Sequence, residues 1–259
     1  MNWKLWPALL LLLCAATARA QQITVAAAAD LTAPLKELAP TFEKATGAKL
    51  NLVFGSSGNL SAQIENGAPY DVFLSADADY PRKLIANGKA IGQPAEYASG
   101  KIVLWVRSDS PLAKNLSLEA LRSLEIKRIA IANPQHAPYG RAAAAAFDKL
   151  GLTQSLVPKL VLGENIAQAA QFVLSGNADA GVIALSLALA SPMKDRGVYV
   201  VFPPENYPKL IQTAVLTTAG KDKESAKRFL MFLFYPETQS VLKQYGFDVP
   251  QVKSELKAH

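Results

Sequence analysis

The sequence predicts an α/β fold of two lobes, each a mostly parallel sheet with helices on both faces. Short apolar segments alternate with segments of helical periodicity, a pattern typical of parallel sheets. The alternation runs twice, and two longer β-rich stretches, 101–106 and 210–218, stand between and after the runs. We therefore expect two crossing strands that act as a hinge, with 21–100 plus 212–259 in lobe 1 and 101–211 in lobe 2.

The first run begins with an apolar strand and continues with a helix whose hydrophobic residues recur at helical spacing. Glycines follow its helical segments, as is typical of helix C-termini. The predicted segments are strand 23–27, helix 31–46, strand 50–54, helix 59–66, strand 70–75 and helix 80–87.

The second run repeats this pattern after the β-rich stretch at 101–106. Its predicted helices again end at glycines, Gly151 and Gly176. The predicted segments are strand 129–132, helix 139–150, strand 159–162, helix 165–175, strands 180–183 and 199–202, the β-rich stretch 210–218, and closing helices 223–235 and 236–245.

Residues 1–20 are predicted to be a signal peptide, cleaved after Ala20. Lys4 precedes an apolar run that ends near Ala15, and 18–20 has the A-x-A form of a cleavage site. Cys14, the only cysteine, lies in this segment. We therefore expect an exported mature chain without disulfides, cysteine catalysis or zinc–cysteine sites.

The charge of the mature chain excludes few functions but disfavours nucleic-acid binding. Removing the first twenty residues leaves 25 basic and 21 acidic residues, a net charge of +4. The excess is spread thinly, without a basic stripe interleaved with aromatics. No later stretch is long and apolar enough to span a bilayer.

Four junctions between a predicted strand and the following helix carry small or hydroxyl residues. Such junctions leave backbone N–H groups free at the positive end of a helix dipole, which favours an anion. The spacing repeats, since 27 residues separate Asp30 from Ser57 and Tyr139 from Ile166. We therefore predict an oxyanion site between the lobes. The four junctions are 28–30, 55–58, 137–140 and 163–166.

Several ordered motifs resemble those of periplasmic molybdate-binding proteins, the solute receptors of molybdate ABC importers. The similarity extends from about Ile23 to about Pro250. The motifs are AAAADL at 26–31, FGSSG at 54–58, GAPYDVFLSAD at 67–77, NPQHAPYG at 133–140 and QYGF at 244–247.

The resemblance implies a type II periplasmic-binding-protein fold and a non-enzymatic receptor in the periplasm. Its ligand would be molybdate, and tungstate as well, captured between the lobes and delivered to an inner-membrane ABC permease. It implies a monomer that needs no cofactor, no free metal cation and no nucleic acid, because molybdenum would enter only as the oxyanion.

The resemblance also implies the ligand-binding residues. Ser57 would donate its hydroxyl and N–H, and Tyr139 and Ile166 their N–H groups. Asp30 departs from the family, where serine or an amide residue stands. Because a carboxylate repels a dianion, we expect its side chain to turn away and cap the helix, which leaves its N–H for the ligand. Some members carry a tyrosine donor where Ala184 stands, and the Tyr139 hydroxyl would replace it.

Three alternatives remain open from the sequence. The first is a receptor for another tetrahedral oxyanion: sulfate, phosphate or a phosphonate. The second is a secreted serine hydrolase using Ser57 and His136, although Asn59 breaks the G-x-S-x-G pattern. The third is a secreted interaction module with a vestigial cleft. Asp77 and Asp79 supply too few oxygen ligands to predict a calcium loop.

Overall fold

Two five-stranded sheets form the framework of residues 21–250, the part of the chain that the computed structural model describes. The predicted signal peptide and Cys14 lie outside these residues. The strands are β1 (Gln22–Ala28), β2 (Lys49–Gly55), β3 (Val72–Ser75), β4 (Ala90–Gly100), β5 (Ile102–Arg107), β6 (Ile129–Ala132), β7 (Leu160–Gly163), β8 (Ala180–Ala184), β9 (Gly197–Val201) and β10 (Leu210–Thr217).

The two sheets share one topology, which confirms the predicted α/β class. The first sheet has the order β2-β1-β3-β10-β4, and the second has the order β7-β6-β8-β5-β9. In each sheet the first three strands run parallel, and the fourth pairs antiparallel with its neighbour on either side. The parallel strands of each sheet therefore end at the corresponding edge, which is where α/β folds bind ligands.

The chain passes between the sheets twice. It leaves the first sheet at Lys101, between β4 and β5, and returns over 202–209, between β9 and β10. The β-rich stretches of the sequence therefore lie beside the crossings, each within a single sheet. The lobe boundaries given above stay a prediction.

Strand β4 is absent from the sequence prediction. Gly92 and Pro94 interrupt the apolar pattern there, but β4 is an edge strand, where a missing N–H is tolerated. Its pairing with β10 also contains two register shifts. The pattern is irregular because the strand itself is irregular.

Ten helices, some of one turn only, cover the sheets within the described range. Four of the parallel strands lead into the helix or 3-10 turn starts that line the cleft: β1, β2 and β7 with no more than two intervening residues, and β6 after the loop 133–137. The helices are α1 (Thr32–Thr46), α2 (Ser57–Glu65), α3 (Asp79–Ala86), α4 (Pro138–Lys149), α5 (Thr153–Leu156), α6 (Ile166–Leu174), α7 (Leu185–Ala188), α8 (Met193–Arg196), α9 (Glu224–Phe232) and α10 (Pro236–Gln244).

Buried apolar residues pack against each sheet and also across the cleft between the two sheets. The largest cluster of buried residues includes Trp105 of β5 and extends to Ala28 at the end of β1 and to Ala29 and Ala76, which follow β1 and β3. A second cluster around Phe42 fills the space between the first sheet and α1, α9 and α10. No helix between residues 21 and 250 combines the length and apolarity of a membrane span.

Candidate functional site

One small cavity between the sheets is lined by all four predicted site residues, Asp30, Ser57, Tyr139 and Ile166. Its volume is about 190 Å³ when the open solvent at its mouth is counted. The first sheet contributes the ends of β1, β2 and β3, and the second contributes the starts of α4 and α6. The other lining residues are Ala28, Ala29, Gly55, Ser56, Ala76, Ala137 and Pro138.

The first turn of α2 leaves one backbone N–H without a protein partner, that of Ser57. The first N–H groups of a helix lack intrahelical acceptors. Gly58 N–H donates to the His136 carbonyl at 2.9 Å, and Asn59 N–H donates to the hydroxyl of the N-cap Ser56. Among the described residues nothing accepts from the Ser57 N–H, which lies at the cavity.

In the first turn of α4, the N–H of Tyr139 has no acceptor among the described residues. Pro138 occupies the first helical position and has no N–H. The N–H groups of Gly140 and Arg141 both donate to the Ala137 carbonyl. The sequence therefore uses a proline and a tight turn to leave one donor at this position.

In the first turn of α6, the N–H of Ile166 has no acceptor within the part of the chain that the structure describes. The side chain of the N-cap Asn165 accepts from the N–H groups of Ala167 and Gln168, both at 3.0 Å. The Asn165 carbonyl accepts from Ala169. Three helices thus leave one N–H each, and all three of these residues line the same cavity.

The Ser57 hydroxyl adds a donor to these N–H groups. Its oxygen accepts a hydrogen bond of 3.0 Å from the Ala76 N–H, in a buried position. A hydroxyl that accepts in this way still has its proton to donate. Ser57 therefore has two donors available from one residue, its N–H and its hydroxyl; that they bind an oxyanion stays a prediction.

The cavity lining is uncharged except for Asp30. No lysine or arginine contributes to it, and no group of three histidine, cysteine or acidic side chains that could hold a metal ion occurs within 21–250. The arrangement can surround an anion with fixed dipoles, through charge-assisted hydrogen bonds, without forming an ion pair.

The Asp30 side chain does not cap its helix, contrary to the prediction. The 3-10 turn that contains it has no side-chain cap. Asp30 Oδ2 accepts instead from the Tyr139 hydroxyl and from Gln212 Nε2, both at 2.9 Å. The expected role of the Tyr139 hydroxyl as a spare donor is therefore also wrong, because Asp30 already accepts its proton. We call Asp30, Tyr139 and Gln212 the Asp30 cluster.

Burial controls the charge of Asp30. The residue is 0% exposed, and loss of hydration raises its carboxyl pKa to about 7, against smaller lowering effects of Tyr139, its own N–H and Gln212. Sequence reasoning missed Gln212, although a lone amide inside the apolar stretch 210–217 was the available signal. It also missed Ser186, whose hydroxyl donates to the Asp30 carbonyl at 2.7 Å.

Partly exposed contacts also join the two halves of the molecule, the first sheet with its helices and the second sheet with its helices, and we call them the rim contacts. Arg141 of α4 forms an ion pair with Asp77 and donates to the Tyr80 hydroxyl at 3.3 Å. Asn59 donates to Glu164 at 3.1 Å. Together with the Gly58–His136 hydrogen bond, they hold the cleft closed.

His136 pairs with the wrong serine for the hydrolase alternative. Its Nδ1 lies 3.0 Å from Ser56 Oγ, whereas Ser57 Oγ accepts from Ala76. No carboxylate of the described residues is hydrogen-bonded to the imidazole, so the third member of a catalytic triad is also missing. The geometry is that of a loop contact across the cleft.

A family model for bacterial extracellular solute-binding proteins matches residues 23–248. The chain belongs to this family. Its members are receptors, which confirms the prediction that the chain is not an enzyme, and the family is extracytoplasmic. The matched range covers both sheets and every residue of the cavity lining.

Relatives within the family agree with the resemblance drawn from the motifs. The molybdate-binding protein ModA of Azotobacter vinelandii is 42% identical over 236 residues, 91% of this chain and 93% of the relative. ModA of Rhodobacter capsulatus is 39% identical over 89% of both chains. The solved structure of the A. vinelandii periplasmic molybdate-binding protein covers 88% of this chain and 100% of its own, with 36% identity and a TM-score of 0.82.

A likeness to a sulfate-binding protein is restricted to the fold. SubI of Mycobacterium tuberculosis covers 90% of this chain and 88% of its own with a TM-score of 0.72, but the two are only 17% identical. The solute-binding architecture is therefore shared more widely than the ligand.

Proposed function

We propose that this protein is a periplasmic receptor that captures molybdate, and also tungstate, and delivers it to an inner-membrane ABC permease. The observation that carries the proposal is the convergence of three unpaired helix N–H groups on one cavity between the sheets. They belong to Ser57, Tyr139 and Ile166. Ser57 adds its hydroxyl. These are the donors that a tetrahedral dianion requires.

An uncharged donor set suits a receptor that must release its cargo. Fixed dipoles in a dry site bind a dianion tightly, since each hydrogen bond to a charged acceptor is about twice as strong as a neutral one. No buried cation is left unpaired when the anion leaves. The cavity offers donors in excess of acceptors, which favours an oxyanion without a proton of its own.

The choice of molybdate comes from the relatives. The ModA proteins at 42% and 39% identity carry molybdate in their names, whereas the sulfate-binding protein resembles this chain only in fold. Tungstate has the same tetrahedral shape and charge, so the same donors would bind it. Sulfate, phosphate and phosphonates are the competing ligands.

Anion binding would stabilise the closed cleft, which the permease then recognises. Closure would move lobe 1, 21–100 with 212–259, against lobe 2, 101–211, about the two crossings. Export would follow cleavage after Ala20. The receptor would act as a monomer, without nucleic acid and without a cofactor.

The test is calorimetric titration of anion-free protein with molybdate, tungstate, sulfate and phosphate. We expect tight binding of the first two and weak or no binding of the others. Tight binding of sulfate or phosphate without binding of molybdate would identify the protein as a receptor for one of those anions instead. Failure of all four would leave the interaction module as the better description.

A matched pair of serine variants tests the site itself. Ser57→Ala removes one donor to a charged acceptor and should cost about 1–2 kcal/mol, roughly 5- to 30-fold in molybdate affinity. Ser61→Ala makes the same change at another buried serine of α2, outside the cavity lining, and should leave the affinity unchanged. Equal effects of the two substitutions would remove Ser57 from the site.

A further inference from the structure

Asp30 is a buried carboxyl group without a cationic neighbour. Its Oδ2 accepts two hydrogen bonds, from Tyr139 and Gln212, while its Oδ1 is buried without any partner among the described residues. Burial raises the pKa and hydrogen bonds lower it, with no contribution from a lysine or arginine. An ionised carboxylate here would be poorly compensated.

The groups that face Asp30 from the surrounding elements are polar but uncharged. Tyr139 comes from α4, Gln212 from β10 and Ser186 from α7. Tyr97 of β4 is fully buried nearby, and burial followed by the Asp30 charge raises its pKa well above 10. These tyrosines stay protonated near neutral pH, so Asp30 is the group of this neighbourhood that can change charge.

Two further buried oxygens near Asp30 lack partners, the Tyr97 hydroxyl and Gln212 Oε1. Gln212 Oε1 belongs to the same amide whose NH₂ group donates to Asp30. Asp30 Oδ1 thus has no donor among the described residues that would stabilise a negative charge on it. A carboxylic acid would have one donor to offer where a carboxylate has none.

The anion would lie beside this carboxyl group. Asp30 lines the same cavity as the N–H groups of Ser57, Tyr139 and Ile166. A dianion held by these donors would face a carboxylate with no cation between them. Like charges at short range in a dry site raise the pKa of the group that can be neutralised.

On the basis of the proposed oxyanion-receptor function, we propose that Asp30 carries a proton whenever the anion is bound, so that capture of the dianion takes up one proton. The proton comes from solvent and resides on the carboxyl group. Asp30 thereby becomes an affinity-determining residue whose charge state is part of the bound complex.

In the open form of the protein, the Asp30 carboxyl group would be deprotonated. The hydrogen bond between Tyr139 and Asp30 joins the two halves and would break on opening, which admits water to the carboxyl group. Its pKa then returns toward the ordinary range of aspartate. The closed complex holds one more proton than the open form, so affinity falls as pH rises between the two pKa values. One linked proton changes the affinity by at most about tenfold per pH unit.

Calorimetric titration with molybdate in buffers of different ionisation enthalpy measures this proton directly. Near pH 7 the wild type should take up close to one proton per bound anion, and Asp30→Asn should take up none. From about pH 6 to about pH 8 the wild-type affinity should fall while that of Asp30→Asn stays flat. Because both proteins meet the same ligand and buffers, protonation of the anion itself cancels in the comparison.

Two control variants separate Asp30 from other polar side chains at the cleft. Burial also raises the carboxyl pKa of Asp77, and the His136 imidazole lies 3.0 Å from Ser56 Oγ. Asp77→Asn and His136→Asn should both keep the proton uptake, whatever their affinities. Uptake that disappears in either control but persists in Asp30→Asn would overturn the proposal.

The wild-type measurement alone keeps the proposal falsifiable if Asp30→Asn does not fold. Molybdate binding without proton uptake would refute the role of Asp30 and leave the receptor function intact. Binding of phosphate rather than molybdate, lost in Asp30→Asn, would mean that an ionised Asp30 accepts a hydrogen bond from the ligand's own P–OH group, which also refutes the proposal. Absence of any anion binding by the wild type would instead count against the proposed function.

Discussion

The Asp30 cluster and the rim contacts both join the two halves of the molecule, but they differ in solvent exposure. Asp30 and Tyr139 are 0% and 2% exposed. At the rim, the Arg141 side chain is 41% exposed and that of Asp77 is 15% exposed. Water screens the rim ion pair even while the cleft is closed, whereas in the closed cleft nothing polar replaces a donor lost to the buried carboxyl group.

The difference teaches which contacts should govern affinity. The cluster contains one acidic group and no cation, yet we expect it to matter more than the full ion pair at the rim. Position in the cleft, rather than formal charge, decides the effect. Three changes test this comparison.

The largest effect is expected from Gly58→Ala, which prevents both regions from forming. A Cβ at Gly58 would lie 2.6 Å from the His136 carbonyl oxygen and 2.8 Å from its Cβ, closer than packed atoms approach, so the halves must separate. Separation removes the Tyr139 and Ile166 donors from the anion. At about 1.5 kcal/mol or more each, their loss should weaken molybdate binding roughly 100-fold or more.

Thermal unfolding of the anion-free protein provides the control for Gly58→Ala. The backbone clash with His136 exists only in the closed cleft, and the further close contact, 2.6 Å from the Tyr80 hydroxyl, involves the end of a side chain that can move. The unliganded variant should therefore unfold near the wild-type temperature and lose only the stabilisation by molybdate. An affinity within a few-fold of wild type would show that closure is not needed for binding, and the comparison would lose its basis.

The next largest effect is expected from Tyr139→Phe in the Asp30 cluster. Loss of the hydroxyl leaves a buried acceptor short of one donor, which should cost about 1–3 kcal/mol of binding free energy above neutral pH. Because the Tyr139 hydrogen bond lowers the Asp30 pKa, its removal should also move the pH dependence of binding to higher pH.

Tyr80→Phe is the matched control, since it removes a hydroxyl from a rim contact. Its oxygen accepts from Arg141, whose guanidinium also lies 5.5 Å from the ring centroid, a contact that phenylalanine retains. Calorimetry should therefore give a much smaller loss for this variant. Equal losses in the two variants would contradict the claim that burial separates the regions.

The donors could be predicted from sequence because they are local. A cap such as Asn165 or a proline such as Pro138 decides within one turn which N–H groups remain free. The repeated strand–helix alternation likewise indicates where the cleft lies. The sequence alone therefore indicates the strand–helix junctions, whereas the choice of Ser57, Tyr139 and Ile166 within them comes from the family resemblance and stays a prediction.

The Asp30 cluster could not be predicted because its partners are distant in sequence. Tyr139 is 109 residues from Asp30, and Gln212 is 182 residues away. Helix capping is the local alternative for an aspartate near a helix start, and nothing nearby in the sequence argues against it. Packing of the two sheets against each other overrides such a local preference, because it determines which distant groups a buried side chain contacts.

The smallest effect is expected from Arg141→Gln at the rim. It removes the ion pair with Asp77, for which a partly exposed geometry allows less than about 1 kcal/mol of binding free energy. The loss should shrink further at high ionic strength, where screening has already weakened the wild-type pair. Lys49→Gln removes an exposed ion pair with Glu43 within the first half and should not change molybdate affinity at either salt concentration. Calorimetric titration at low and high salt compares the two variants. A loss for Arg141→Gln as large as that for Tyr139→Phe, and insensitive to salt, would mean that the rim, and not the buried cluster, holds the anion in place.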